Sequence, residues 1–118
     1  MKEIKNPMGN VYVSHRAIST IAHSSAIESY GVVGLAAKNF AEGIAQAIVK
    51  DPTMGVDVRY DGQSIEIDLF IIVEYGTRIK MVAESVSSNV RYRVEKTIGI
   101  PVGKVNVHIR ALRISDTD

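Results

Sequence analysis

The 118-residue chain has no cysteine and no tryptophan, and its aromatics are five tyrosines and two phenylalanines. Without cysteine there is no disulfide framework, thiolate metal site or cysteine nucleophile, and the composition suits a reducing compartment. Seven aromatics without tryptophan make poor stacking platforms for single-stranded nucleic acid. Long apolar runs are also missing. The longest, Leu69-Phe70-Ile71-Ile72-Val73, falls far short of the roughly 18 residues of a membrane span. The polar start, Met1 to Pro7, does not read as a secretory leader. A cytoplasmic protein is expected, peripheral to a membrane only through a partner.

What is present is an ordinary globular composition, 46% hydrophobic and 23% charged, at a length that suits one domain. The net charge of +1 hides an uneven spread. Residues 51–76 carry six acids and one base, whereas residues 77–118 carry eight bases and four acids. An acidic middle beside a basic end implies internal pairing or head-to-tail self-association.

The periodicity predicts an α+β domain in the order β-α-β-α-β-β-α-β, with a mixed sheet packed against a long helix in the C-terminal half. Val11-Tyr12-Val13 is a short strand, and Ser14 caps a helix carrying Ile18, Ile21, Ala22 and Ile27. Gly31 to Ala37 is a buried strand. Phe40 to Val49 reads as a second helix capped by Asn39 and weakened by Gly43, and Asp51-Pro52 ends it.

Val56, Val58 and Tyr60 alternate with polar residues, and Asp61-Gly62 signals a two-residue hairpin turn. The returning strand places Ile65, Ile67, Leu69, Ile71, Val73 and Tyr75 on one face. Its other face holds Glu66, Asp68 and Glu74 together with Phe70 and Ile72. Those two would stand in water unless a helix of the same chain or another subunit covers them. They are the candidate contact surface.

Thr77 caps a helix with Ile79, Val82, Ala83, Val86, Val90, Val94 and Ile98 in one stripe, and Gly99-Ile100-Pro101 stops it. The last strand points Val105, Val107, Ile109 and Ala111 inward. A right-handed crossover would make it a parallel neighbour of the strand from Ile65, so that Glu66 and Asp68 face His108 and Arg110.

Candidate chemistry is thin. His15 and His23 lie eight apart on a helix, about 80° around its axis, which is not the spacing of a metal pair. His23-Ser24-Ser25 lacks an orienting carboxylate, and neighbours on a helix do not face each other. Asp57, Asp61, Glu66, Asp68 and Glu74 fit a solvated sheet face better than a calcium loop or a catalytic pair. Gly31-Val32-Val33-Gly34 has the Gly-x-x-Gly pattern of KH domains but encloses two valines where those loops carry a base. Arg91, Arg93, Lys96, Lys104, Arg110 and Arg113 could meet phosphate, yet Glu84, Glu95 and the acidic hairpin dilute the field, so nucleic acid is disfavoured as a partner. No cofactor motif, metal site or catalytic set is expected.

Several blocks together resemble the alkaline shock, or general stress, envelope protein family. They are Gly9 to Ser14, Ile21-Ala22, Gly31-Val32, Gly55 to Val58, Ile65 to Gly76, the valines of 79–94, and Thr97 to Val107 (TIGIPVGKVNV). The resemblance covers residues 9–113. It implies a small bacterial cytoplasmic protein of 9–114 flanked by tails at 1–8 and 115–118. It further implies a non-enzymatic scaffold that self-associates and supports envelope homeostasis through a membrane-anchored partner. Glu28-Ser29-Tyr30-Gly31 lacks the proline often found before that glycine, and charged extensions are missing, so the chain looks like a short housekeeping member. The alternatives are an RNA-binding module using the basic helix 91–96, or an accessory to a kinase of dihydroxyacetone-kinase type, beside which relatives often sit.

Overall fold

A computed structural model describes the backbone of residues 3–5, 12–37, 48–49 and 52–114, with side chains for 15–37 and 54–114. In chain order the elements are β1 (Glu3–Lys5), β2 (Tyr12–Ser14), α1 (His15–Ile27), β3 (Val32–Ala36), β4 (Ile48–Val49), α2 (Pro52–Gly55), β5 (Val56–Tyr60), β6 (Ile65–Glu74), α3 (Ile79–Ile98) and β7 (Val102–Arg113). The α+β class and the mixed sheet are as expected. Residues 3–5, read as tail, instead pair antiparallel with β2, Ile4 opposite Val13.

The ten-residue β6 organises the sheet. Five residues of β5 pair antiparallel with its first half, β3 pairs antiparallel with its second half, and β7 runs parallel along its other edge. Most of β6 is buried on both faces, which matches the nearly continuous apolar run of IEIDLFIIV. The crossover from β6 to β7 is α3, as the spacing predicted.

One face of the sheet carries the main core. Ile65, Ile67, Leu69, Ile71 and Val73 of β6 meet Ile18, Ala22 and Ala26 of α1 and Val82, Val86, Val90 and Val94 of α3. The α3 valines recur every fourth residue and are at most 1% exposed. Two buried serines, Ser25 of α1 and Ser29 just beyond it, are satisfied locally. The Ser25 hydroxyl donates to Ile21 O at 2.9 Å and the Ser29 hydroxyl to Ser25 O at 2.9 Å.

Four local expectations are corrected. Ile48 and Val49 are strand, not helix, hydrogen-bonded beside Ala36 and Leu35, as suits two β-branched side chains. Residues 40–47 of that expected helix, its Asn39 cap and Gly43, and the Ser14 side chain lie outside the described residues. The hairpin loop has four residues, 61–64. The Asp61 carboxylate accepts from the amides of Gln63 (2.9 Å) and Ser64 (3.0 Å), and Gly62 alone takes a positive φ, 98°.

Thr77 does not cap α3. Its hydroxyl donates to Glu74 O at 2.7 Å to close the turn leaving β6, and Arg78 holds the cap position without a side-chain bond. Ala111 does not point inward, because a bulge at Arg110 shifts the register. Ile109 sits opposite Ile71, Ala111 opposite Ile72, and Leu112 takes the row of Val73. Gly99 does end α3 left-handed, with φ 86° and its N–H on Glu95 O.

Candidate functional surfaces

The sheet face turned away from α1 and α3 carries a charge ladder across β5, β6 and β7. Strand alternation puts Asp57 and Arg59, then Glu66 and Asp68, then Lys104, Asn106 and His108 on that side. Arg59 is the hub. Its guanidinium reaches Asp57 at 3.3 Å, Glu66 at 3.0 Å and Asp68 at 2.5 Å. Asn106 Nδ2 donates to Glu66 Oε2 at 3.1 Å, and His108 Nε2 meets Asp68 Oδ1 at 2.9 Å. The expected approach of Asp68 to His108 is therefore present. Arg110 lies instead over the Phe70 ring, 5.4 Å from its centroid.

The electrostatics follow from these contacts. Burial pushes the Asp68 carboxyl up, but hydrogen bonds from His108, Arg59 and Asn106 outweigh it and hold the group below the usual carboxylate range. The Arg59 guanidinium is raised by its bonds to Asp68 and Glu66. Asp61 is lowered by the amides of Ser64 and Gln63. Glu66 and Asp68 are thus committed to partners on the neighbouring strands, which suits sheet cohesion.

Phe70 and Ile72, expected to need cover from outside or from a helix, are covered within the chain itself. Ile72 is 1% exposed and Phe70 8%. The Phe70 ring stacks on His108 with centroids 4.7 Å apart and planes 13° apart. Ile72 lies between Gly34 of β3 and Ala111 of β7 in the register. They do not form an exposed apolar pair.

The cations of α3 do not join them. Arg91 donates to Val102 O, alongside the Glu95 carboxylate that accepts from Val102 N at 2.7 Å, so the helix end is tied to the start of β7. Arg93 pairs with Glu28 at the end of α1, 2.6 Å away, and Lys96 lies 5.4 Å from the Tyr92 ring centroid. Arg91 is half-buried, Arg93 and Lys96 are exposed, and the stretch sits on the layer opposite Phe70 and Ile72. His15 and His23 are half-buried on α1. Among the described residues no group of His, Asp and Glu stands together as metal ligands would.

Two surfaces escaped the sequence reading. At the end of the sheet where β6 stops, Glu74 N donates to Gly31 O and Tyr75 N to Arg113 O, both at 2.8 Å. These bonds bring Tyr30 (77% exposed), Tyr75 (63%) and Ile114 (76%) to the same end of the sheet, where Met81 of α3 (58%) lies near Tyr30. Tyr30 and Met81 line one depression there with Gly76 and Arg78. The signal was the dipeptide Tyr-Gly at 30–31 and 75–76, an aromatic just before a glycine of positive φ (87° and 93°). The second surface is the outer edge of β7, which among the described residues pairs with β6 alone. Beside it runs a shallow groove lined by Ala83, Glu84, Ser87, Ser88, Val105 and Val107.

A sequence profile of the alkaline shock protein 23 family, described by a cell envelope-related function, matches residues 3–114. The chain belongs to this family. It is 37% identical over 116 residues to the uncharacterized protein YloU of Bacillus subtilis (strain 168), covering 97% of each chain. It is 31% identical over 103 residues to YqhY of the same organism, covering 86% of this chain and 76% of that one. Among solved structures, the MamM C-terminal domain in a copper form superposes with a TM-score of 0.53 at 21% identity, over 88% of this chain and 92% of that chain. A variant of the same domain gives 0.53 at 22% identity over 90% and 92%. At that identity the likeness is one of fold. Among the described residues no helix is long and apolar enough to cross a membrane.

Proposed function

We propose that this member of the family is a non-enzymatic scaffold of the cell envelope. It works from the cytoplasm, associates with further copies of itself, and reaches the membrane through an anchored partner. The observation that carries the reading is the exposed cluster of Tyr30, Tyr75, Met81 and Ile114 at one end of the sheet. Tyrosine and methionine are enriched where proteins meet, and Arg78 beside them adds a cation suited to the same role. The contact surface is thereby moved from Phe70 and Ile72, which the chain covers itself, to the strand ends. The RNA-binding alternative loses ground because Arg91 and Arg93 are spent on Val102 O and Glu28.

Light scattering across a concentration series tests the reading, with Tyr30→Asp and Tyr75→Asp beside the wild type. A molar mass that rises with concentration, and does so less in both variants, is expected. A strict monomer at every concentration would remove self-association from the account.

A further inference from the structure

The end of the sheet where β6 and β7 both stop brings exposed apolar side chains and cations together. Among the described residues nine large apolar side chains are exposed. Six of them, Tyr30, Tyr75, Ile79, Met81, Leu112 and Ile114, come from the turns and element ends gathered there. Singly scattered apolar residues are normal on a surface, but a gathering of this kind marks a contact. Two short stretches supply most of it, the turn from β6 into α3 at 75–81 (YGTRIKM) and the end of β7 at 112–114 (LRI).

In both stretches the cations are interleaved with the apolar residues. Arg78 and Lys80 flank Ile79, Arg113 lies between Leu112 and Ile114, and all three cations are exposed. Neither stretch holds an acid. Among the described residues no carboxylate pairs with Arg78 or Lys80. Glu28 is bonded to Arg93, while Glu74 is half-buried, already has a partner, and stands opposite Arg113 in the register. Setting Glu74 against Arg113 leaves Arg78 and Lys80 at the tip, with the exposed Glu84 a turn behind them on α3. The tip is therefore cationic.

Lysine is depleted where proteins meet, so Ile79-Lys80-Met81 fits a protein partner poorly. At a bilayer surface the same order is favourable. Apolar side chains and tyrosine rings enter the headgroup boundary, and the long Lys and Arg stems reach back to the phosphates.

We infer that this end of the molecule touches an anionic lipid surface directly. Tyr75, Ile79, Leu112 and Ile114 enter the boundary, and Arg78, Lys80 and Arg113 meet lipid phosphates. Four side chains bury little area, and stable attachment takes a second signal. The inference thus goes beyond the scaffold reading without replacing the anchored partner, which supplies that signal. The depression between Tyr30 and Met81 is left to neighbouring copies on the same surface.

Flotation of the full chain with vesicles tests this, at a dilution where light scattering finds it monomeric. Binding to phosphatidylcholine vesicles with about one-third phosphatidylglycerol, and far weaker binding to phosphatidylcholine alone, is expected. Arg78→Glu/Lys80→Glu should weaken it about tenfold or more, and acids in the first turn of α3 leave the helix sound. Leu112→Gln/Ile114→Gln should also weaken it. Lys96→Glu/Lys104→Glu, the same change of charge at the opposite end of α3 and β7, should matter far less, because salt screens distant charges.

The chain has no cysteine, so a polarity-sensitive dye on Ile114→Cys reports insertion, and one on Gln63→Cys in the hairpin loop is its control. Only the first should shift to the blue. No binding to anionic vesicles, equal losses in the two charge-reversed pairs, full binding by Leu112→Gln/Ile114→Gln, or equal shifts at the two dyes overturns the inference. Self-association without vesicle binding also overturns it and gives the whole end to further copies. Vesicle binding by a chain that stays monomeric upholds it and removes self-association alone.

Discussion

Gly31 offers the sharpest test of how α1, β3 and α3 are fitted together. Its φ is 87°, its carbonyl accepts from Glu74 N at 2.8 Å, and a Cβ built on it would lie 2.5 Å from Val82 Cγ2. An alanine there meets two costs. The left-handed backbone costs a residue with Cβ about 1 kcal/mol. Val82 is 1% exposed and cannot swing away, so the overlap adds about 1–3 kcal/mol. Gly76, with φ 93° and no atom within 4 Å of its built Cβ, isolates the first cost. Urea unfolding followed by circular dichroism should give Gly31→Ala a loss of about 2–4 kcal/mol and Gly76→Ala about 1 kcal/mol. The double variant Gly31→Ala/Val82→Ala completes the cycle, and its loss should fall short of the sum of the singles by about 1–3 kcal/mol. Equal losses for the two glycines, or strict additivity in the cycle, would refute the close approach of Gly31 to α3.

Asp68 makes stability depend on acid. Its folded-state pKa lies below the unfolded value near 3.9, so its contribution is complete above that pH and fades as the pH falls through the folded value. The stability gap between wild type and Asp68→Asn should therefore be widest near neutrality and close below about pH 4; a gap that does not change with pH would count against the ladder. Phe70→Asp separates burial from contact. Because the ring is 8% exposed and stacked on His108, the variant should lose several kcal/mol as an isolated chain, read as a lower melting temperature at high dilution. An unaltered melt joined to lost self-association would return Phe70 to the surface.

Where a residue's role depends on near neighbours, the sequence reading held. Gly99-Ile100-Pro101 after a four-step valine stripe ended α3 where expected, since a left-handed C′ glycine and a proline act within one turn. The parallel pairing of β6 with β7 was legible for a similar reason, because a strand, a twenty-residue helix and a strand have few ways to pack. The misses lie where a side chain chose between competing partners. Asp61 accepts two amides and opens a four-residue loop instead of a tight turn. Thr77 turns back to Glu74 O instead of forward into α3. The bulge at Arg110, a single inserted residue with no signature of its own, reversed the face of Ala111.

The surfaces were harder to read because exposure belongs to the assembled sheet. Phe70 and Ile72 looked stranded among acids when β6 was read alone. In the sheet His108 and Arg110 close over Phe70, two residues about forty positions downstream that only the parallel register brings there. The charge asymmetry, by contrast, was visible from the start, and the structure divides it into a spent part and an unspent one. Glu66 and Asp68 are bonded to Arg59, Asn106 and His108 across strands, and Asp57 to Arg59 along its own strand, so the acidic middle is largely consumed inside the molecule. Arg91 and Arg93 are consumed likewise by Val102 O and Glu28. Lys104 is left on the outermost strand, where the alternation of sign across the row breaks off after a cation.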